Sequence, residues 1–246
     1  MVRNIIGKGC IKSDRGKARA SDKKEESTTM KNIALLLVSF TIFLSACEDP
    51  SANKPKAQTS EPSNAVAANS SASALTAAAV SLPFSPDNSK IEFTGSKVTG
   101  SHEGGFTKFS GSIDLVNDKP EESKVNVDIE TASIYANVDQ LTNHLKTPDF
   151  FDVEKFPKAT FSSSKIVHDA NGSADAYTVT GNFDLHGVKK AITFPATIQV
   201  GPDDVTVKSE FTINRKDFGI MYAGKADDLV RDGVVIRLDI KAPKKK

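Results

Sequence analysis

In residues 149–161 the chain runs Asp149-Phe150-Phe151-Asp152-Val153-Glu154-Lys155-Phe156-Pro157-Lys158-Ala159-Thr160-Phe161. Four Phe lie here among acidic residues and a Pro, directly before a segment that alternates apolar and polar side chains. The stretch contains no nucleophile motif, no metal-ligand spacing and no phosphate-binding loop. It predicts an apolar corner that leads into a β-strand, with Phe156 and Phe161 in the core and Phe150 and Phe151 shared between the core and a cavity mouth.

Outside this corner, apolar and polar residues alternate with the period of two that is typical of a half-buried β-strand. Turn residues such as Asn171-Gly172 and Gly201-Pro202 separate the runs. Strands with one apolar face must close on themselves or stack, so we predict an all-β fold, an antiparallel β-barrel of about eight strands. The apolar faces lie within residues 91–93, 109–115, 125–129, 179–185, 192–200, 205–213 and 234–240.

Two local signals refine this architecture. Residues 138–146 predict one short helix, since Val138, Leu141 and Leu145 share a side and Thr147-Pro148 ends the pattern. Pro195 interrupts an apolar-faced strand, which indicates a sheet edge, a bulge or a barrel seam.

An eight-stranded barrel encloses either its own packed side chains or one small ligand. Small residues at inward positions, Gly111, Gly181, Ala196 and Ser209, leave volume in the interior. Phe rings from opposite strands would fill the same volume. Both interpretations stay open from the pattern alone.

The N-terminal third has the composition of a targeting segment. Met30-Lys31-Asn32 precedes the apolar run Ile33 to Leu44, which at about 1.5 Å per residue covers about 18 Å, less than a bilayer core of about 30 Å. We therefore predict a signal peptide over 30–46, with Met30 as the true start and residues 1–29 as misassigned upstream sequence.

Leu44-Ser45-Ala46-Cys47 is similar to the bacterial lipoprotein box, which predicts lipidation of Cys47. An ordinary signal peptide with an incidental Cys is the alternative.

Residues 47–82 are rich in Ser, Ala, Asn and Pro and contain no aromatic residue, so we expect a lipidated N-terminus followed by a flexible linker.

Residues 83–246 form the predicted barrel domain, with 21 Lys and Arg against 24 Asp and Glu. A weakly acidic domain gives no electrostatic reason to bind nucleic acid. Both Cys, Cys10 and Cys47, precede it, so its stability must come from an ordinary core.

Several phrases of residues 85–242 resemble, in order, motifs of the YceI-like family. They are Thr99 to Gly111 with its glycine-histidine segment, Lys124 to Ile134, His144 to Asp152 ("HL.S.DFFD"), Thr178 to Val188 ("VTG.L.L.GV") and Arg215 to Ile220 ("R.DFGI"). The resemblance implies a lipocalin-like barrel with a long apolar cavity that binds polyprenyl, quinone or acyl lipids. It also implies a periplasmic or secreted protein and a homodimer as one assembly.

From the resemblance we expect a non-enzymatic lipid carrier in a bacterial cell envelope. It would be anchored to the membrane by acylated Cys47, would face the periplasm or the exterior, and would need no metal or other cofactor. His102 and His144 are candidate headgroup contacts, although His144 is more simply interpreted as orienting the Asp149 corner. The candidate lipid-binding residues are Phe93, Phe106, Phe109, Ile113, Val127, Ile129, Leu141, Leu145, Phe150, Phe151, Phe183, Phe194, Phe211 and Phe218.

Two rival hypotheses follow from the same residues. An enzyme would require His102 or His144 to face Asp149 or Glu103 across a pocket. A structural or stress-related envelope module would have a barrel filled by its own side chains and no ligand. The four His show no zinc-like spacing, and no Gly-x-Ser-x-Gly elbow occurs.

Overall fold

The computed structural model describes residues 49–62 and 79–244, which belong to one compact unit spanning Ser45–Lys246. The predicted start at Met30, the signal peptide and Cys47 lie outside the described residues. The strands are β1 (Gln58–Ser60), β2 (Val80–Phe84), β3 (Lys90–Lys97), β4 (Gly100–Phe106), β5 (Phe109–Val116), β6 (Lys119–Glu130), β7 (Ile134–Ala136), β8 (Lys158–His168), β9 (Ala176–Leu185), β10 (Val188–Val200), β11 (Asp204–Asn214), β12 (Gly224–Lys225), β13 (Asp228–Leu229) and β14 (Gly233–Pro243). Helix α1 spans Asp139–Leu145, and 3-10 turns cover Thr131–Ser133 and Arg215–Phe218.

The strands form a curled antiparallel sheet, which confirms the predicted all-β, barrel-like fold. Twelve strands join in the order β2-β5-β6-β8-β9-β10-β11-β14-β3-β4-β7, with β1 added beside β10, while β12 and β13 form a separate small hairpin. The count exceeds the predicted eight because short strands with little apolar alternation extend the sheet. The single predicted helix is present as α1, within one residue of its expected ends on each side.

The barrel has two different ends. At the hairpin end lie the β5–β6, β8–β9 and β10–β11 connections. In the first of them, Asn117 and Asp118 adopt φ of 52° and 55°, as a two-residue hairpin turn requires. At the helix end lie α1, the 149–156 corner, the 3-10 turn Arg215–Phe218, the β3–β4 turn and the β12–β13 hairpin.

The prediction of a flexible linker over 47–82 is wrong for residues 49–62 and 79–82. Strand β1 pairs with β10, from Gln58 opposite Thr193 to Ser60 opposite Ala191. The Ala57 amide donates to the Thr212 carbonyl, and the Thr212 amide donates to the Pro55 carbonyl, each at 2.8 Å. These backbone bonds need no apolar side chains, which is why a polar composition did not predict them.

This N-terminal segment (residues 49–62) completes the barrel wall between β10 and β11. Strand β10 pairs with β1 through residues 191–193 and with β11 through residues 197–200. Pro195 lies where β10 changes partners, so its missing N–H leaves no bond unmade on that side. Of the sheet edge, bulge and barrel seam that the sequence left open at Pro195, the structure shows the seam.

Protonation of Asp49 is expected to loosen the N-terminal segment. Burial raises the pKa of Asp49, but hydrogen bonds from Ser51 and the Arg231 guanidinium at 3.2 Å outweigh burial and lower this pKa below 3.8. Its stabilising contribution is therefore complete above pH 3.8 and is lost as the pH falls through the lowered value. Hydrogen exchange should show that protection of the Ala57 and Thr212 amides is constant above pH 3.8 and falls as the pH drops below it. The same loss in an Asp49→Asn variant would contradict this assignment.

Small inward residues accommodate aromatic rings rather than leaving space. A Cβ at Gly111 would lie 2.1 Å from the Phe84 ring, and one at Gly181 would lie 2.4 Å from the Phe161 ring. The interpretation of these glycines as sources of free volume is wrong, because each allows a Phe on the neighbouring strand to lie flat across it. The core residues that are fully buried include Leu82, Ile134, Val205, Phe218 and Val235.

Candidate functional site

The inward faces of the strands enclose an apolar cavity of about 220 Å³. It extends from Ile198 and Val207, toward the hairpin end, to Phe150 and Ile220 at the helix end. Its wall presents almost no polar surface. An apolar wall of this kind holds hydrocarbon by removing it from water.

Eleven of the fourteen residues predicted to contact lipid line this cavity. Phenylalanine rings dominate, and Phe194 and Phe211 stack with centroids 4.3 Å apart and planes 11° apart. The opposite wall carries aliphatic side chains from β5 and β6. The lining residues among the predicted set are Phe93, Phe106, Ile113, Val127, Ile129, Leu145, Phe150, Phe151, Phe183, Phe194 and Phe211.

Three predicted residues do not line the cavity. Phe218 is fully buried behind Phe183, whose ring it meets edge-on at 5.3 Å. Leu141 is half-buried on α1, one turn before Leu145. Phe109 is buried in the wall. Conversely, Phe161 lines the cavity although the sequence favoured a core role. Alternation identifies an inward face but does not tell packed positions from open ones.

Sequence reasoning missed Arg215 at the helix end of the cavity. Its guanidinium donates to the carbonyls of Ile220, Val230 and Arg231 and reaches Asp232 Oδ1 at 3.3 Å. Burial lowers the pKa of Arg215, and the nearby charge of Asp232 partly offsets this lowering. This side chain fastens the loop that closes the cavity here. The available signal was its position at the head of the Arg215 to Ile220 motif.

Neither candidate headgroup histidine lines the cavity. His144 Nε2 lies 2.8 Å from Asp149 Oδ2, and its ring meets those of Phe150 and Tyr222 edge-on at 5.0 Å each. His144 therefore braces the corner that carries Phe150. His102 Nδ1 lies 3.0 Å from Asn137 Oδ1 on the β4 side of the wall. The His–Asp pair that an enzyme would need does occur, but outside the cavity.

A polar cleft of about 590 Å³ adjoins the cavity at the helix end. The two share Ile213, Arg215, Val230 and Arg231, and the N-terminal segment forms one side of the cleft through Asp49, Ser51 and Lys56. An apolar cavity beside a polar cleft suits a molecule with one apolar and one polar part.

Within residues 49–62 and 79–244, no group of three or more His, Cys, Asp and Glu side chains is arranged to hold a metal ion. No helix in this part of the chain has the length and apolar character needed to cross a bilayer.

Comparison with known sequences gives a consistent result. The model of the YceI-like domain matches residues 83–242. A UPF0312 protein of Pseudomonas putida (strain W619) is 37% identical over 127 residues, 49% of this chain and 65% of that protein. A UPF0312 protein of Pseudomonas fluorescens (strain SBW25) is 35% identical over 133 residues, 52% of this chain and 68% of that protein. The chain thus spans 65% of the length of the first relative.

Two solved structures share the fold. BcnA of Burkholderia cenocepacia superposes with a TM-score of 0.55 at 26% identity, covering 65% of this chain and 99% of BcnA. A polyisoprenoid binding domain from Saccharophagus degradans gives a TM-score of 0.53 at 16% identity, covering 68% of this chain and 99% of that domain.

Proposed function

Because the chain belongs to the YceI-like family and encloses an apolar cavity, we propose that it binds the long apolar chain of an amphiphilic lipid. The observation that carries this proposal is the cavity wall, which is built mainly of Phe and aliphatic side chains and presents almost no polar surface. Each CH₂ moved from water into such a cavity contributes about 0.8 kcal/mol, so a prenyl or acyl chain is retained without any charged contact. The polar part of the ligand stays outside the apolar cavity.

The ligand class is a polyisoprenoid, an isoprenoid quinone or a fatty-acid derivative. The Saccharophagus degradans domain is described as polyisoprenoid binding. At 16% identity its likeness concerns the fold, so the lining of this chain's own cavity supports the choice of ligand. The role that we propose is sequestration or transport of this lipid, which rests on the apolar cavity and on membership of the YceI-like family.

A barrel filled by its own side chains is the rival function, and the cavity disfavours it. About 220 Å³ stays open although Phe84 and Phe161 cover Gly111 and Gly181. One ordered water needs only about 10–15 Å³ of such space, so the interior is far from solid packing.

We also propose that the mature protein is anchored in a bacterial cell envelope through acylated Cys47 and faces the periplasm or exterior. The supporting observation is the sequence Leu44-Ser45-Ala46-Cys47 after a short apolar run. Assembly as a homodimer is a further expectation of the resemblance.

One purification tests both proposals. The full chain, produced in a Gram-negative bacterium and purified from its membranes, should release a prenyl or acyl lipid into organic solvent. Its intact mass should show acyl groups on a protein that begins at Cys47. An empty extract together with no uptake of added farnesol would overturn lipid binding, and an unmodified Cys47 would overturn the anchor alone.

A further inference from the structure

Exposed apolar side chains concentrate at the helix end of the barrel. Among the described residues, Val98, Val138, Met221 and Leu229 are 52%, 43%, 62% and 48% exposed there. Two comparable residues, Val80 and Val167, lie at the hairpin end, with exposures of 56% and 41%. Tyr135 is the seventh such residue and lies on the outer wall. We call the four residues at the helix end the apolar rim.

Backbone contacts join the loops that carry the apolar rim. The Val98 amide donates to the Leu229 carbonyl at 3.1 Å, so the β3–β4 turn touches the β12–β13 hairpin. The Val230 amide donates to the Ala223 carbonyl at 2.9 Å, which brings the segment after Met221 alongside. On the other side, the Asn137 amide donates to the Glu103 carbonyl at 2.9 Å, so Val138 lies beside β4. The rim residues therefore lie on two sides of the helix end of the barrel.

The chain leaves the described structure at this same end. Asp49 pairs with Arg231 at 3.2 Å, and the Arg231 amide donates to the Ser96 carbonyl at 2.8 Å, two residues from Val98. Cys47, the proposed site of lipidation, precedes Asp49 by two residues in the sequence. The apolar run Ile33 to Leu44 ends three residues before Cys47. In the sequence, the proposed anchor therefore lies next to Asp49, the described residue that pairs with Arg231 beside the rim.

We propose that the apolar rim rests on the surface of a lipid bilayer, with the helix end of the barrel facing the membrane. This inference builds on the proposed function, since it gives the lipid a direct route between the bilayer and the cavity. Phe150, Phe151 and Ile220, which line the cavity, lie at the same end. Single apolar side chains on protruding turns enter the headgroup region and lose contact with water there. Lys97 and Asp228, which lie beside the rim, form an ion pair with each other.

The experiment measures binding to phosphatidylcholine vesicles. Since Ser45–Lys246 is a compact unit, the protein tested comprises this unit with Cys47→Ser, which removes the covalent anchor. The rim variant is Met221→Ser with Val98→Ser, neither of which lines the cavity or the polar cleft. The matched control is Val80→Ser with Val167→Ser, which removes two exposed apolar side chains from the opposite end. Flotation measures vesicle binding, a pyrene-labelled prenol in the vesicles measures the rate of transfer, and farnesol in solution measures binding in the cavity.

The rim variant should lose about tenfold in vesicle binding and in transfer rate, since two apolar side chains no longer leave water. Its affinity for farnesol should not change, and the control variant should match the starting protein in all three measurements. Equal losses in the two variants, or no vesicle binding by the starting protein, would overturn the inference. A dimer that only the rim variant loses would assign the rim to a second copy and overturn it as well. Failure of every variant to bind farnesol would overturn the proposed function, while vesicle binding would still decide the role of the rim.

Discussion

Val127→Trp is expected to weaken binding of a long prenyl chain by about a hundredfold while the barrel stays folded. Val127 lies midway along β6, opposite Gly111 and Phe161, and its side chain lines the cavity. An indole ring at this position occupies volume that is now open. If the ring excludes about four carbons of the ligand, the loss of about 0.8 kcal/mol for each amounts to about 3 kcal/mol, or a hundredfold.

A matched control is available on the adjacent residue. Asp128 is exposed on the outer face of the same strand, so Asp128→Trp adds the same ring without entering the cavity. Titration with a fluorescent prenol should give near-native affinity for Asp128→Trp, and thermal unfolding should show both variants folded. Undiminished prenol affinity in a folded Val127→Trp protein would show that the ligand lies elsewhere.

Phe218→Ala is expected to destabilise the barrel by about 3–5 kcal/mol. The Phe218 side chain is fully buried and packs edge-on against Phe183. It closes the 3-10 turn Arg215–Phe218, so its removal leaves a void beneath the loop that Arg215 fastens. Urea unfolding followed by circular dichroism should show a lower midpoint with an unchanged slope.

Two further variants test whether the loss of stability comes from the buried volume of Phe218 or from any substitution in this segment. Phe218→Leu keeps most of the buried volume and should cost less than about 1.5 kcal/mol. Met221→Ala, three residues along the same segment, alters a side chain that is 62% exposed and should stay within about 0.5 kcal/mol of the native protein. A Phe218→Ala protein as stable as Met221→Ala would show that the site collapses without cost.

Strands with one apolar face were predictable from the sequence because apolar and polar residues alternate along them with a period of two. Val125, Val127 and Ile129 oppose Asn126 and Asp128, and the structure places them as alternation requires. Helix α1 and the seam at Pro195 were also predictable, because each depends on a local signal. The same reasoning missed β1, since Gln58-Thr59-Ser60 is held by backbone hydrogen bonds that any sequence makes.

For the candidate site, the sequence predicted that the interior is apolar and which residues face it. It did not predict the contacts that these residues make. Alternation places Phe194 and Phe211 inside, and both line the cavity. It cannot show that Phe84 covers Gly111 or that Phe218 lies behind Phe183, because those contacts depend on how distant strands meet. The role of Arg215 was not predicted for a similar reason. Its partners are main-chain carbonyls of residues 220, 230 and 231, whose positions the sequence does not specify.

Because β1 pairs with β10, the shortest protein that keeps all of these strand pairings must begin before residue 83, where the family match starts. A truncated protein starting at residue 83, where the match begins, would cut β2 in half and leave Ala191 to Thr193 and Thr212 with open main-chain donors and acceptors. Such exposed margins recruit strands from other molecules. Recombinant protein cut at that boundary should therefore self-associate and leak its cargo, even though every recognisable motif is present.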